Sequence, residues 1–235
     1  MIEMADLDTR IEALGPSFGG ALCLDFANSV EPRGATAQPD QAGTPRLRQD
    51  FNDPYDLVAW GLNQQLYGHD RAKRLWRVAG EAEAAGEVLH RTRKLSDVTY
   101  RVFAALAGGA PPSPGDVAAL QAAYGEAVRN GTLAITSTGP VFNWPEPDLR
   151  VVRWAAAVSA FDTLRSVAPT KIKICGGEGR DGIPCGWLFI DTTKNGSRRW
   201  CSMSDCGNTN KSRRQNARRR TERASRSGRS RATRR

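Results

Sequence analysis

The sequence predicts an α+β fold. A mostly helical body with a few short strands precedes a small module, a β-hairpin and a helix built around clustered cysteines. Three observations predict it. Apolar residues recur at helical spacing over most of residues 53–166, interrupted by Gly and Pro. Short apolar runs bounded by turn residues stand apart from these helices, at Phe18–Val30, Leu133–Trp144 and Trp187–Ile190. Four of the five cysteines, Cys175, Cys185, Cys201 and Cys206, gather late in the chain, and a strongly basic stretch follows them. These features divide the 235 residues into a body (1–168), a cysteine module with a basic helix (169–223) and a disordered basic tail (224–235).

Each element has a local reason. Phe18–Val30 reads as a buried strand, with Asp25 and Asn28 satisfying turn backbone and Cys23 serving as a small core residue. Residues 31–50 contain Pro32, Gly34, Pro39, Gly43 and Pro45 and read as a loop. Asp53-Pro54 offers a cap and a first-turn proline to a helix through Leu57, Val58, Trp60 and Leu62, which Gly68 ends. Asp70–Ala107 is helical, and Gly80 and Gly86 split it in two. Ser113-Pro114 opens a further helix to about Val128. Leu133–Trp144 reads as a β-hairpin around Ser137-Thr138-Gly139-Pro140, and Asp148 caps a helix through Ser166. Lys171–Ile174 is a strand leading into the module, where Trp187–Ile190 forms another and Asn195-Gly196 supplies a hairpin turn. Gly207-Asn208 is expected to cap a helix that starts near Thr209.

The cysteines read C-x9-C-x15-C-x4-C. Thiolates are soft ligands, and four of them around one d10 ion make a closed tetrahedral zinc site with no position left for water or substrate. Disulfides and free thiols are the competing readings. Met1–Arg10 has no apolar segment of the kind that directs export, so a reducing, cytoplasmic setting is expected, in which paired cysteines more often hold metal. The nine-residue first spacing makes Cys175 the loosest ligand, with Glu178 as its substitute.

The run from Cys185 to Asn208, with Cys-Gly-Trp-Leu-Phe-Ile-Asp at its start and Ser-Asp-Cys-Gly-Asn at its end, resembles the CGNR-type zinc finger of bacterial proteins that carry an N-terminal ABATE domain. Leu22-Cys-Leu-Asp-Phe-Ala-Asn-Ser29 resembles the start of that domain. The resemblance implies a stress-responsive transcription regulator with Zn2+ held by Cys175, Cys185, Cys201 and Cys206. Two departures accompany it: Thr209 stands where the family's arginine follows Gly-Asn, and the loop between the first two ligands is longer than usual.

Charge points the same way. The formal net charge is +9, but residues 194–235 carry +13 and residues 1–193 carry −4. A basic end on an acidic body seeks a polyanion, nucleic acid first and an anionic membrane surface second. From Lys211 to Arg223 the chain is basic on every face, so an isolated helix there would fray, whereas phosphates would turn its repulsion into affinity. The expected DNA contacts are Arg213, Arg214, Arg218, Arg219, Arg220 and Arg223, with Asn208, Asn210 and Lys211 near base edges. The body is expected to sense a small molecule or stress signal, or to form a homodimer. Trp60, Trp76, Trp144 and Trp154 read either as core or as a pocket lining.

Other classes fit less well. No phosphate-binding glycine loop, nucleophile elbow or H-E-x-x-H motif is present, His69 and His90 read as surface residues, and paired Asp53 and Asp56 have a capping role, so an enzyme is not expected. No apolar run is long enough to span a membrane. A cytoplasmic, nucleoid-associated regulator is the leading reading, and an RNA- or ribosome-associated zinc module is the alternative.

Overall fold

The computed structural model describes residues 4–33, 48–137, 139–178, 184–216 and 219. It is an α-rich α+β protein with seven named helices and three two-stranded antiparallel sheets among those residues. Helices α1 (Met4–Ala13), α3 (Pro54–Asn63) and α4 (His69–Ala79) pack at one end. The short α2 (Leu22–Ala27) lies between α5 (Ala82–Ala107) and α7 (Val151–Ser166), and α6 (Pro114–Asn130) covers both long helices.

The helix starts follow local chemistry. Asp53 accepts from the backbone N–H groups of Tyr55 and Asp56, while Asp56 reaches back to the Asp53 N–H, which closes a capping box behind Pro54. Arg10 of α1 bridges both carboxylates at 2.9 and 2.6 Å, so the paired acids fasten two helices together. Ser113 Oγ accepts from Asp116 N ahead of α6. Inside, Phe26, Phe51 and Trp60 meet with ring centroids 5.6–5.8 Å apart. Trp154 is buried elsewhere, 6.2 Å from Trp144, so the four tryptophans belong to packing and do not face one cavity.

Several expectations need correction. Phe18–Val30 is not a strand; its centre is the helix α2, entered where Asp25 Oδ1 accepts from Gly19 N at 2.8 Å. A short, fully buried apolar run has the same sequence signal in either state. The break in the 70–107 region is at Gly80 alone, and Gly86 lies inside α5 with open space where a side chain would be. Gly68 precedes α4, while α3 ends earlier, at Gln64. Within 31–50, Glu31 and Arg48 pair in a minimal sheet of β1 (Val30–Glu31) with β2 (Arg48–Gln49), and 34–47 lie outside the described residues. The predicted hairpin is present as β3 (Thr132–Thr136) with β4 (Gly139–Asn143).

In the cysteine module, β6 (Leu188–Ile190) pairs backwards with β5 (Ile172–Ile174), not forwards across Asn195-Gly196. The Asn-Gly turn does form, with Gly196 at φ +59, but Asp191 organises it. The buried Asp191 carboxylate accepts from Thr193 N, Thr193 Oγ1 and Arg198 N, and these hydrogen bonds, the Thr193 hydroxyl's first, hold it below the usual carboxylate range. Those donors serve the side chain, so the turn joins no second strand. β5 and β6 lie on α5, and Ile172 and Leu188 are part of the same buried core as the body helices.

Candidate metal centre and the basic helix

Four segments bring the cysteines together. Cys175 leaves β5 with its N–H on Trp187 O at 2.7 Å, and Cys185 N returns to Gly177 O at 2.8 Å, which closes the long first loop. Gly176 N donates to Arg199 O at 3.2 Å, so the second half of the module lies against the first. Arg198 locks that half: its guanidinium lies over the Phe189 ring and donates to the carbonyls of Trp200 and Cys201. Cys206 sits in a π-helical turn, Met203–Gly207, whose Asp205 N–H donates to Ser202 Oγ.

The result is one cluster. Cys175, Cys185, Cys201 and Cys206 are all buried, and their sulfurs lie within 4.8 Å of one another. Cys201 Sγ is 3.9 Å from Cys185 Sγ and 3.8 Å from Cys206 Sγ. A tetrahedral ion with sulfur at about 2.3 Å requires edges of about 3.8 Å, so the spacing fits a four-thiolate metal site. The N–H groups of Gly177 and Cys201 point at Cys175 Sγ from 3.4 and 3.3 Å, the kind of support a thiolate ligand receives. Hydrogen bonds from Cys185, Cys201 and Cys206 push the Cys175 thiol far down, while the shared site pushes Cys185 and Cys201 up. Like-charge repulsion opposes ionisation of neighbouring thiols, and a bound dication would offset it. Glu178 takes no part, since its carboxylate pairs with Arg213 at 2.8 Å.

Glycine is required at one point here. A Cβ on Gly177 would stand 2.8 Å from Cys206 Cβ and 3.2 Å from the sulfurs of Cys175 and Cys206. The cluster closes around a backbone that has no side chain.

The body grips the module through its backbone. Asn28, Val30 and Arg33 bond Leu188, the Trp187 indole and the Cys185 carbonyl, and Tyr100 Oη donates to Gly186 O at 2.9 Å. Arg48 lies 4.9 Å over the Trp187 ring. Sequence reasoning missed Asp191, Arg198 and Tyr100, because nothing in a polar residue's spacing tells which distant backbone group it will meet. Asn28 was legible as a backbone-satisfying residue, though its partner was not.

The helix expected near Thr209 begins sooner, as a continuation of the π-turn, and its described residues are 208–216 and 219. Asn208 and Asn210 also serve the backbone of their own helix. Their amides donate back to Ser204 O and Cys206 O, which anchors the helix to the last cysteine. Lys211, Arg214 and Arg219 are exposed, Arg213 is half-buried against Glu178, and Arg218, Arg220 and Arg223 lie outside the described residues. Beside the helix, Trp200, Met203, Lys211, Arg214 and Gln215 line an open groove of about 450 Å³.

Residues 20–167 match the ABATE family, whose description reads "Putative stress-induced transcription regulator". The chain belongs to the ABATE family. Residues 171–219 match the CGNR zinc finger, and that stretch contains all four clustered cysteines and the helix that follows. The order of the two matches is the order read from the resemblance. No curated protein matches the chain. One family description names a regulator and the other a zinc finger, and among the described residues no helix is long and apolar enough to cross a membrane.

Proposed function

We propose that this ABATE-family chain is a DNA-binding transcription regulator, working at the nucleoid, in which one Zn2+ fixes the origin of a basic helix. The observation that carries the reading is the position of Cys206. It is a member of the metal cluster and also the residue whose carbonyl holds Asn210 in the first turn of the helix. Metal and helix are therefore one mechanical unit. A closed thiolate site suits zinc in a structural role, because no coordination position remains for chemistry.

The helix would supply phosphate contacts through Lys211, Arg213, Arg214 and Arg219, with Arg218, Arg220 and Arg223 extending the basic run in the sequence. Counterion release makes such contacts steeply salt-dependent. Glu178 tempers Arg213, so the salt bridge must open for that arginine to reach a phosphate; both partners are partly exposed, and the cost is below about 1 kcal/mol. Asn208 and Asn210 are committed to the helix backbone, which leaves base readout to Lys211, Gln215 or residues further on.

A second reading rests on Trp200. An indole beside Lys211 and Arg214 suits stacking of an unpaired base, which favours RNA or single strands. Titrating labelled duplex DNA against RNA and single-stranded competitors, from about 50 to 300 mM salt, separates the two. About five phosphate contacts give a logarithmic salt slope of roughly −4 to −5 for the duplex. The Cys201→Ser, Cys206→Ser protein is expected to lose both zinc and that slope. Preferential displacement by RNA transfers the assignment to the second reading, and full DNA affinity in the zinc-free protein overturns the role given to the metal.

A further inference from the structure

A second site lies in the body, far in sequence from the cysteines. Between α5 and α6 is a cleft of about 390 Å³, within the range of small-molecule sites. Its floor is apolar because α6 presents Ala119, Ala122 and Ala123 to Leu95 and Val98 of α5. Alanines there keep two packed helices from filling the space between them. Small residues alone would signify nothing more than close packing.

The charges make the difference. Arg91, Lys94, Arg129 and Arg153 all line the cleft, against the single carboxylate of Glu126. Arg91 is met by Glu87 on the outer surface. Among the described residues, Lys94 and Arg129 have no carboxylate within ion-pair distance. Arg153 comes from α7 at the back of the cleft and is only 7% exposed. It bonds Glu126 at 2.5 Å through Nη2, but its buried Nε–H has no acceptor. Glu126 is itself divided, since it also accepts from the Trp154 indole at 3.2 Å. Burial pulls the Arg153 guanidinium below its ordinary pKa, which marks the charge as under-compensated. A buried donor without a partner, set beside an apolar cleft with a cationic rim, needs an anion that brings its own apolar body.

We propose that this cleft binds a small amphipathic carboxylate, an aliphatic or aromatic acid, with the carboxylate on Arg153, Lys94 and Arg129 and the apolar part along the α6 alanines. The acid's oxygens supply the acceptor that Arg153 Nε lacks. Its hydrocarbon lies along Ala119 and Ala122, above the buried Leu95 and Val98. Because α7 carries Arg153 and leads directly to the cysteine module, occupancy would stiffen the body at the point where the module begins.

The test uses the full chain and two probes, octanoate and 3-phenylpropanoate, with 1-octanol and inorganic phosphate as controls. Tm and tryptophan emission are followed, Trp154 being a built-in reporter through Glu126. At least one acid is expected to raise Tm and change emission saturably, while octanol and phosphate do neither. Lys94→Gln with Arg129→Gln, both exposed and harmless to the fold, should weaken binding about tenfold or more. Arg153→Met with Glu126→Gln, which removes the buried charge pair together, should abolish it. Failure of both acids to bind, equal binding of octanol, or undiminished binding by the rim variant overturns the proposal.

Discussion

Asn28 holds Leu188 by both of its backbone groups. The Leu188 N–H donates to Asn28 Oδ1 and the Asn28 amide donates to Leu188 O, each at 2.9 Å and both buried. One side chain thus continues the module's strand into the body, 160 residues earlier in the chain. Asn28→Ala leaves two buried backbone groups without partners and is expected to cost about 2–4 kcal/mol in urea unfolding. A loss below about 0.5 kcal/mol would mean that water replaces the amide and the joint is not load-sharing.

The same joint bears on whether the body stands alone. Its helical periodicity is self-contained, yet Ile172 and Leu188 are fully buried in its core. Removing two such side chains forfeits about 1.5–3 kcal/mol each. A chain ending at residue 168 is therefore expected to melt at lower temperature than the full chain, and less sharply. Thermal melts by circular dichroism compare them directly; equal midpoints would show that the module contributes nothing to the body.

Gly177→Ala should damage the metal centre without touching a ligand. The added methyl meets Cys206 Cβ at 2.8 Å and two sulfurs at 3.2 Å, so either the loop or Cys206 must move. Overpacking of this kind costs about 1–3 kcal/mol. Competition with a chromophoric chelator is expected to show zinc released at lower chelator concentration from the variant than from the wild type. Indistinguishable release curves would show that the loop yields freely.

Asp25 should give the body a pH signature. Burial raises its pKa from 3.8 to about 6, and hydrogen bonds from the Gly19 and Phe18 N–H groups offset only part of that. The folded state holds this proton more tightly than the unfolded chain. The stabilisation is therefore complete below about pH 4 and is lost as pH rises through about 6. Asp25→Asn keeps an acceptor for Gly19 and removes the titration. Wild type is expected to lose up to about 3 kcal/mol relative to the variant between pH 4 and 7. A stability difference that stays flat across that range would refute the assignment, whatever other acids do, because they are common to both proteins.

The sequence alone determined the body helices between 54 and 166, the hairpin at 132–143, the four late cysteines as a group and the basicity that follows them. Helix caps such as Asp53-Pro54 and Ser113-Pro114 act within a few residues, so neighbouring letters suffice to read them. Four cysteines with no competing histidine pattern leave few other soft-ligand sets. Tertiary structure decided the rest. The centre of Phe18–Val30, Leu22–Ala27, became a helix because a short, mostly buried apolar run carries no telling periodicity, and its neighbours α5 and α7 choose its form. β6 paired with β5 instead of crossing the Asn-Gly turn because Asp191 takes the turn's N–H groups for itself. Asn208 and Asn210, which read as contacts near base edges, donate to nearby carbonyls. Arg153 and the α6 alanines read as ordinary helix residues until three helices set them around one cleft. A side chain's type is local information, whereas the group it must satisfy is fixed only when distant segments meet.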